Sequence, residues 1–596
     1  MTPKQPEQQG TQPGNTSWLY FVASLLVVIA CILAITATYD QLSHTIDAPN
    51  HIATGMEWLQ DGSYIMWTEN PPLARATVAL GPYLDGARLP APEEPSALRT
   101  KEGIERNCGM AGGLGGYLLY ETNGYLRTLS LARAGTLPFF LLAAVVIWLW
   151  LGRDRPLAGF LGITAFCTLP AILAHSGLAT TDIAFVAVFL LFTWRLVRWL
   201  ERSSLLQAVV LGLSIGLAVA TKFTSLVFIP AASLALVVGR AWYERDKAAG
   251  FWKRWLVRLI QAVLVMAPLA ALVIWASYRF SVGALSDLPQ YLCDWQVYGP
   301  GVDGWRGTIA NALAEVTLPA PEFLHGVLVL LAHNQAGHWA YALGEVSQTG
   351  FWYFYPLALL VKTPLPFILF FAAGIVLSLL YRKKMAWWVP GMYGTTLLIL
   401  LSLTRSQVNI GLRHALAVYA LASMVTAAVL AASIQNMDRA KRRAIGMLLS
   451  LILGWQIVTS ATAAPDFLAY FNPIAGDEPG EILVDSDLDW GQGVFQLEAF
   501  TSEQDADLVY IAYFGSARLC EHDLPRLRRL PIGNPVKGWV AISEFFYREA
   551  ASFLMLDPCG PVMHYLDRPG VGWYTWLEDY EPVAVLGGSI RVYYIE

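Results

Sequence analysis

Long apolar runs dominate the chain from residue 18 to residue 464, separated by short basic segments or by long mixed ones. Runs able to cross about 30 Å of hydrocarbon fall at roughly 18–39, 135–151, 157–174, 182–200, 205–221, 224–239, 256–276, 351–380, 385–403, 411–433 and 444–464. This pattern predicts an all-α membrane bundle of about eleven transmembrane helices. As one helix, residues 205–239 would run about 50 Å at about 1.5 Å per residue, too long for one crossing. Two short spans parted at Thr221-Lys222-Phe223 fit better. After residue 465 the pattern changes to short alternating runs, such as Asp507-Leu-Val-Tyr-Ile-Ala-Tyr513 and Val536 to Ile542, bounded by turn residues. Such runs predict the strands of a small C-terminal α/β soluble domain.

Composition supports a polytopic membrane chain: 55% of the 596 residues are apolar and 14% charged, and the mean hydropathy is positive, unlike soluble chains of this length. Charge placement sets an expected orientation. With the hairpin at Lys222, the clusters Arg195/Arg198/Arg202 and Arg240/Arg245/Lys247/Lys253/Arg254 fall on one side. Arg153/Arg155, Arg382/Lys383/Lys384 and Arg439/Lys441/Arg442/Arg443 fall there too, and that side is the cytoplasm by the positive-inside rule. The expected plan is a cytoplasmic tail (1–17), a membrane domain (18–464) with large outer loops at 40–134 and 277–350, and an extracytoplasmic domain (465–596). The chain would be a multi-pass protein of the cytoplasmic (inner) membrane. A net charge of −5 with no basic run outside the short loops excludes a nucleic-acid footprint. Cys108, Cys293, Cys520 and Cys559 all fall on the expected outer side, where disulfides persist. The pair Cys520 with Cys559 is favoured because both lie in the tail, with free thiols as the alternative.

Once this topology is drawn, the unusual polar residues of the span ends collect on the outer side: Asp47, Asn50, His51, Glu69, His175, Asp182, Lys222, Lys362, Arg405, Arg413 and His414. Taken singly, each has a plain explanation: Lys222 or Lys362 can snorkel to the interface, and Asp47 can cap a helix beginning near Pro49. Taken together, carboxylates, cations and a histidine at one membrane face suit a site that deprotonates a nucleophile and holds an anionic, phosphorylated, lipid-borne group. Trp295, Trp305, Trp339 and Trp352 in the outer loops can stack on sugar faces or belong to an interfacial belt.

The order of motifs then becomes informative. Asp47-Ala-Pro-Asn-His51, Glu69-Asn-Pro-Pro-Leu-Ala74, His175-Ser-Gly-Leu-Ala-Thr-Thr-Asp182, Gly337-His338 to Gly344-Glu345, Tyr355-Pro356 to Lys362-Thr-Pro-Leu365, Asn409-Ile-Gly-Leu-Arg413-His414 and Asp485-Ser-Asp-Leu-Asp489-Trp-Gly-Gln492 follow one another along almost the whole chain. This series resembles the bacterial and archaeal relatives of protein O-mannosyltransferases and the lipid A aminoarabinose transferase, membrane glycosyltransferases of the C-type fold.

The resemblance implies an inverting transfer of a sugar from a polyprenyl-phosphate donor to a hydroxyl acceptor (protein, lipid or glycan) at the extracytoplasmic face. It implies Asp47 as catalytic base. The family's adjacent Glu is replaced here by Ala48, so a helper carboxylate would come from elsewhere, with Glu69 the candidate. Arg413 would lead the donor-phosphate cations, with Arg405, Lys222 and Lys362 behind it and Asn50, His51 and His414 nearby. It also implies a possible divalent metal, Zn²⁺, Mn²⁺ or Mg²⁺, on Glu69, Asp182 and His338, with His325 and His333 as rival ligands. Two further readings stay open: a non-catalytic partner that binds lipid-linked sugar, which Ala48 would suit, and a transporter of an anionic amphiphile.

Overall fold

The computed structural model describes residues 15–90, 110–245, 250–288, 304–435, 437–548, 551–555, 558–559, 563–570 and 572–596. Cys108, Cys293 and Trp295 lie outside the described residues, and only the backbone of Trp305 is described.

The membrane domain is built from helices α1 (Asn15–Thr36), α2 (Ala48–Gln60), α3 (Pro72–Leu84), α4 (Met110–Tyr120), α5 (Tyr125–Ala134), α6 (Leu137–Ile147), α7 (Pro156–Cys167), α8 (Pro170–Ser176), α9 (Asp182–Glu201), α10 (Leu205–Thr221), α11 (Ser225–Glu244), α12 (Phe251–Gln261) and α13 (Ala267–Ser277). The series continues with α14 (Trp305–Leu313), α15 (Pro321–Ala336), α16 (Phe354–Lys362), α17 (Leu365–Leu380), α18 (Trp388–Leu403), α19 (Leu416–Gln435) and α20 (Arg439–Thr462).

Every apolar run forms helix, but eleven full spans are not confirmed. Among the described residues seven helical rods are long and apolar enough to cross a membrane, or nine if two bent pairs each count as one. The pairs are α7 with α8, bent by 71°, and α16 with α17, bent by 111°. Both bends have a local cause. Leu169 before Pro170, and Thr363 before Pro364, hold extended backbone, as steric clash with the following proline ring demands. The remaining two runs form α10 and α18, of 17 and 16 residues, about 25 Å each at the standard helical rise. The chain does turn at Lys222, whose backbone is extended between α10 and α11, as the basic-loop pattern requires.

The bundle has a centre and a rim. In the apolar windows of α9 and of α19 with its leading turn, 78% and 89% of residues are buried, against 22% for α1, α11 and α20 and 11% for the rod formed by α12 and α13. The latter present their apolar side chains outward, the arrangement expected where lipid replaces water as solvent. Above one end of the bundle, α2, α3 and α4 stack closely. Gly55 permits this contact, since a Cβ there would run into the carbonyl of Arg75.

Outside the helices, the short strands β1 (Val282–Gly283) and β2 (Leu318–Pro319) pair antiparallel, as do β3 (Ala340–Ala342) and β4 (Glu345–Ser347). The C-terminal part contains α21 (Val494–Glu503), α22 (Glu544–Arg548) and strands β5 (Leu508–Ala512), β6 (Arg526–Arg529), β7 (Gly538–Ser543), β8 (Ala551–Met555), β9 (Met563–Gly570), β10 (Ala584–Leu586) and β11 (Ile590–Ile595). Five strands form one sheet in the order β10-β11-β7-β5-β6. Its β7-β5-β6 part is parallel and its β10-β11-β7 part antiparallel, the mixed α/β domain foreseen. Cys520 and Cys559 form a disulfide. Trp490, Phe514, Val540 and Ile542 share one apolar core with the bundle, so this part is packed onto the membrane domain rather than tethered to it.

Candidate active site

Two chain segments meet where the site forms. After α1, the backbone carbonyls of Tyr39, Leu42 and Ser43 are gathered by the fully buried guanidinium of Arg133, at 2.8–2.9 Å. The same segment then pairs with the loop 485–492: Ser43 N donates to Gln492 O at 3.0 Å and Ile46 N to Trp490 O at 3.0 Å. These bonds fix Asp47 relative to Trp490. Asp47 occupies the N-cap of α2, yet its side chain makes no capping bond. Instead its Oδ2 accepts from Arg413 Nη1 at 2.8 Å, in a pair whose side chains are 25% and 11% exposed. The capping explanation therefore accounts for Asp47's position but not for its carboxylate.

Arg413 sits in a one-turn helix (Leu412–Ala415) leading into the buried α19, with its guanidinium stacked 4.3 Å from the Trp490 ring. The 485–492 loop is locked against this turn. Asp487 Oδ1 accepts from Leu412 N at 2.9 Å, and Ser486 Oγ donates to Ile410 O. Gly411 admits this loop, because a Cβ there would collide with Ser486 Oγ and its φ of +123° disfavours any side chain. Burial works to raise the Asp47 carboxyl, but Arg413, and His51 after it, outweigh that and hold it below the ordinary carboxylate range. At neutral pH Asp47 is an anion.

A second layer surrounds this pair. His51 Nδ1 accepts from Arg75 Nε at 3.1 Å, and His51 stacks on Trp67 at 5.6 Å between centroids. Arg75 itself lies 4.4 Å from the Trp67 ring. Burial first, and the Arg75 charge second, push His51 down to about 3. The ring is thus neutral at pH 7, with its proton on Nε2. Glu57, also buried, accepts from Ser63 Oγ, Ile65 N and Met66 N at 2.9–3.1 Å. It shapes the turn that delivers Trp67, Thr68 and Glu69. Glu69 reaches within 3.8 Å of His333 Nδ1 on α15, and burial raises its carboxyl despite the opposing charge of Arg75.

The other candidates are placed as follows. Asp182, at the start of α9, pairs with Lys222 at 2.6 Å, and His175 Nδ1 stands 3.6 Å from its other oxygen, beyond hydrogen-bond reach. Lys222 thus points inward to a carboxylate instead of snorkelling. Lys362 is buried, donating to Leu468 O at 2.6 Å and to Asp487 O, where it clamps the C-terminal segment to α16. Arg405 is exposed past the end of α18. His414 lies near Tyr355, at 6.5 Å between centroids. Asn50 faces Gly112 of α4. Trp352 is 72% exposed, and Trp339 is partly buried.

His338 is held by Gln407 O through its amide and by Trp339 O through Nδ1, and burial lowers it to about 4. Among the described residues no three His, Cys, Asp or Glu side chains converge to hold a metal ion. Asp182 is paired with a lysine and Glu69 lies beside His333, so Glu69, Asp182 and His338 do not form a ligand set as they stand.

Sequence reasoning passed over Arg75, Trp67 and Trp490 as site residues. Arg75 follows directly on the Glu69–Ala74 motif and Trp490 lies inside Asp485–Gln492, while Trp67 lies just outside the first of these. Arg75 and Trp67 meet His51 within about 25 residues of chain, whereas Trp490 is tied to Ile46 more than 400 residues earlier.

No family model and no curated relative matches the chain. Among solved structures it is similar to ArnT from Cupriavidus metallidurans in the apo state, at 14% identity and a TM-score of 0.41, covering 76% of this chain and 70% of that one. It is similar to the same protein bound to undecaprenyl phosphate, at 12% identity and a TM-score of 0.42, covering 97% and 98%. It is also similar to the archaeal oligosaccharyltransferase AglB from Archaeoglobus fulgidus in complex with an inhibitory peptide and a dolichol-phosphate, at 12% identity and a TM-score of 0.39, covering 75% and 56%. With TM-scores below 0.5, these likenesses leave the roles proposed below to rest on the geometry of this chain alone.

Proposed function

We propose that the protein transfers a sugar, with inversion, from a polyprenyl-phosphate donor to a hydroxyl acceptor at the membrane face that carries Asp47 and Arg413. The observation that carries this reading is the Asp47–Arg413 pair itself. An ionised carboxylate and a guanidinium, both only partly exposed, stand at the head of the central helix of an apolar bundle. Asp47 accepts the acceptor's proton as the hydroxyl attacks the anomeric carbon. The leaving lipid phosphate departs unprotonated and needs a cation beside it. Arg413, paired through Nη1 with Asp47, is the guanidinium that stands at this spot. Its planar fork suits phosphate geometry better than a lysine. Lys222 serves chiefly to balance Asp182, and Lys362 to hold the C-terminal loop. The reading includes no resident metal.

The test is turnover by the purified protein in nanodiscs with a panel of polyprenyl-phosphate sugars, read as released lipid phosphate. Asp47→Asn should fold normally and turn over at least about a hundredfold more slowly. Normal donor binding without turnover in the wild type would favour the non-catalytic reading that Ala48 invites.

A further inference from the structure

We propose that a cavity at the end of the bundle opposite Asp47 and Arg413 binds the phosphate headgroup of an anionic phospholipid. The proposal stands independently of the transfer reading.

Two buried helices fix the place. α9 spans 20 residues, about 30 Å at the helical rise, from Asp182 beside Lys222 to Arg198 and Glu201 in its last turn. α19 follows the Arg413 turn and carries Ala428 and Ala432 towards its far end. There the two helices, the turn after α6, the start of α7 and the start of α18 enclose a cavity of about 320 Å³. The small side chains of Ala158, Ala428 and Ala432 leave the room for it. Trp150 and Trp388 form an aromatic wall, their ring centroids 5.3 Å apart. The backbone is shaped for that wall. α6 ends in a π-helical turn, Trp148–Gly152, a departure that recurs at functional sites, and this turn delivers Trp150. A Cβ on Gly152 would strike the Trp148 ring, and one on Gly159 the Gly152 backbone, so both glycines serve the close fold of the turn on α7.

Charge selects the ligand. The lining holds the cations Arg155, Arg198 and Lys384 and the carboxylates Asp154 and Glu201. Glu201 already accepts from Trp387 Nε1 at 3.2 Å and from Arg198 Nη1 at 3.5 Å. Among the described lining residues, Asp154 is then the one carboxylate left to balance Arg155 and Lys384. Arg153, Arg382 and Lys383 stand exposed in the same turns, so the field at the mouth is positive. A basic pocket between membrane helices is the physical form of an anionic-headgroup site. The apolar rim selects a tailed anion over a free one. Leu379 and Leu380, 69% and 70% exposed, end α17 just before the Arg382–Lys384 turn, and Leu149 adjoins Trp150 at 39% exposed.

The test titrates the full-length protein, delipidated in detergent, with phosphatidylglycerol or phosphatidylcholine and counts bound lipid by native mass spectrometry. Phosphatidylglycerol should bind at least about tenfold more tightly, since each cation beside an anionic headgroup is worth about fivefold in affinity. Lys384→Gln should lose about fivefold, and Arg155→Gln with Lys384→Gln about 25-fold. Arg439→Gln with Arg443→Gln removes two exposed cations at the start of α20, outside the cavity, and should change affinity by less than about twofold. A wild type without preference for phosphatidylglycerol, or equal losses in the two double variants, overturns the proposal. Inorganic phosphate should leave the bound lipid in place; displacement by it assigns the cavity to a soluble anion and overturns the lipid assignment.

Discussion

The buried pair Asp182–Lys222 offers the sharpest test of the packing. Its side chains are 2% and 12% exposed and its atoms 2.6 Å apart. At an effective dielectric of about 20, such a pair attracts by about 6 kcal/mol, and removing both ions from water costs several kcal/mol each, so the intact pair adds little net stability. Breaking it on one side is another matter. In Lys222→Met the Asp182 carboxylate stays buried without its counter-ion, which costs about 3–5 kcal/mol. His175 at 3.6 Å and the charge of Arg413 soften the loss, so about 3 kcal/mol is expected. Asp182→Asn should cost less, because Lys222 is the more exposed partner. The double variant Asp182→Asn with Lys222→Met removes both charges and should cost about 1 kcal/mol, leaving a coupling of at least about 2 kcal/mol. Reversible unfolding in mixed detergent and SDS micelles, followed by tryptophan fluorescence, measures all four proteins. A Lys222→Met variant as stable as the wild type, or a double variant whose loss equals the sum of the singles, would refute the reasoning.

Arg413→Ala should lose about 2–3 kcal/mol of affinity for a non-hydrolysable polyprenyl-phosphate analogue, and Arg413→Lys only part of that; equal affinities would place the phosphate elsewhere. Asp489 is fully buried, accepting from Phe545 N and Gly491 N, and burial raises its carboxyl to about 8. Between its unfolded and folded values the folded state holds the extra proton, so stability falls as pH rises, by about 1.4 kcal/mol per unit. From pH 6 to 8 the C-terminal part should therefore weaken by about 2 kcal/mol, and Asp489→Asn should flatten that slope in pH-dependent unfolding. The Cys520–Cys559 bridge closes a loop of 39 residues, which loop entropy values at about 3–4 kcal/mol; replacing both by Ser should expose the C-terminal part to limited proteolysis while the bundle stays intact.

The sequence by itself determined the parts of this protein that depend on near neighbours in the chain. Apolar run length gave the helices, the extra length of 205–239 gave the turn at Lys222, and alternating runs gave strands β5 and β7, while the bends at Leu169 and Thr363 fell inside runs read as single spans. The inventory of polar span-end residues also held Asp47, Arg413, Asp182 and Lys222 before their pairing was known. The tertiary structure decided which of these charges face one another. Run length could not tell a full span from the short helices α10 and α18 or from a bent pair, because crossing depends on tilt and on neighbours. Lysines 222 and 362 look alike in sequence, yet one meets a carboxylate and the other two carbonyls. Trp490 reaches the site only because the segment after α1 hydrogen-bonds to a loop some 440 residues later, and Gly411 leaves room for that loop. Such long-range closure is fixed by packing and by the need to satisfy buried polar groups across the whole fold, and local sequence carries no record of it.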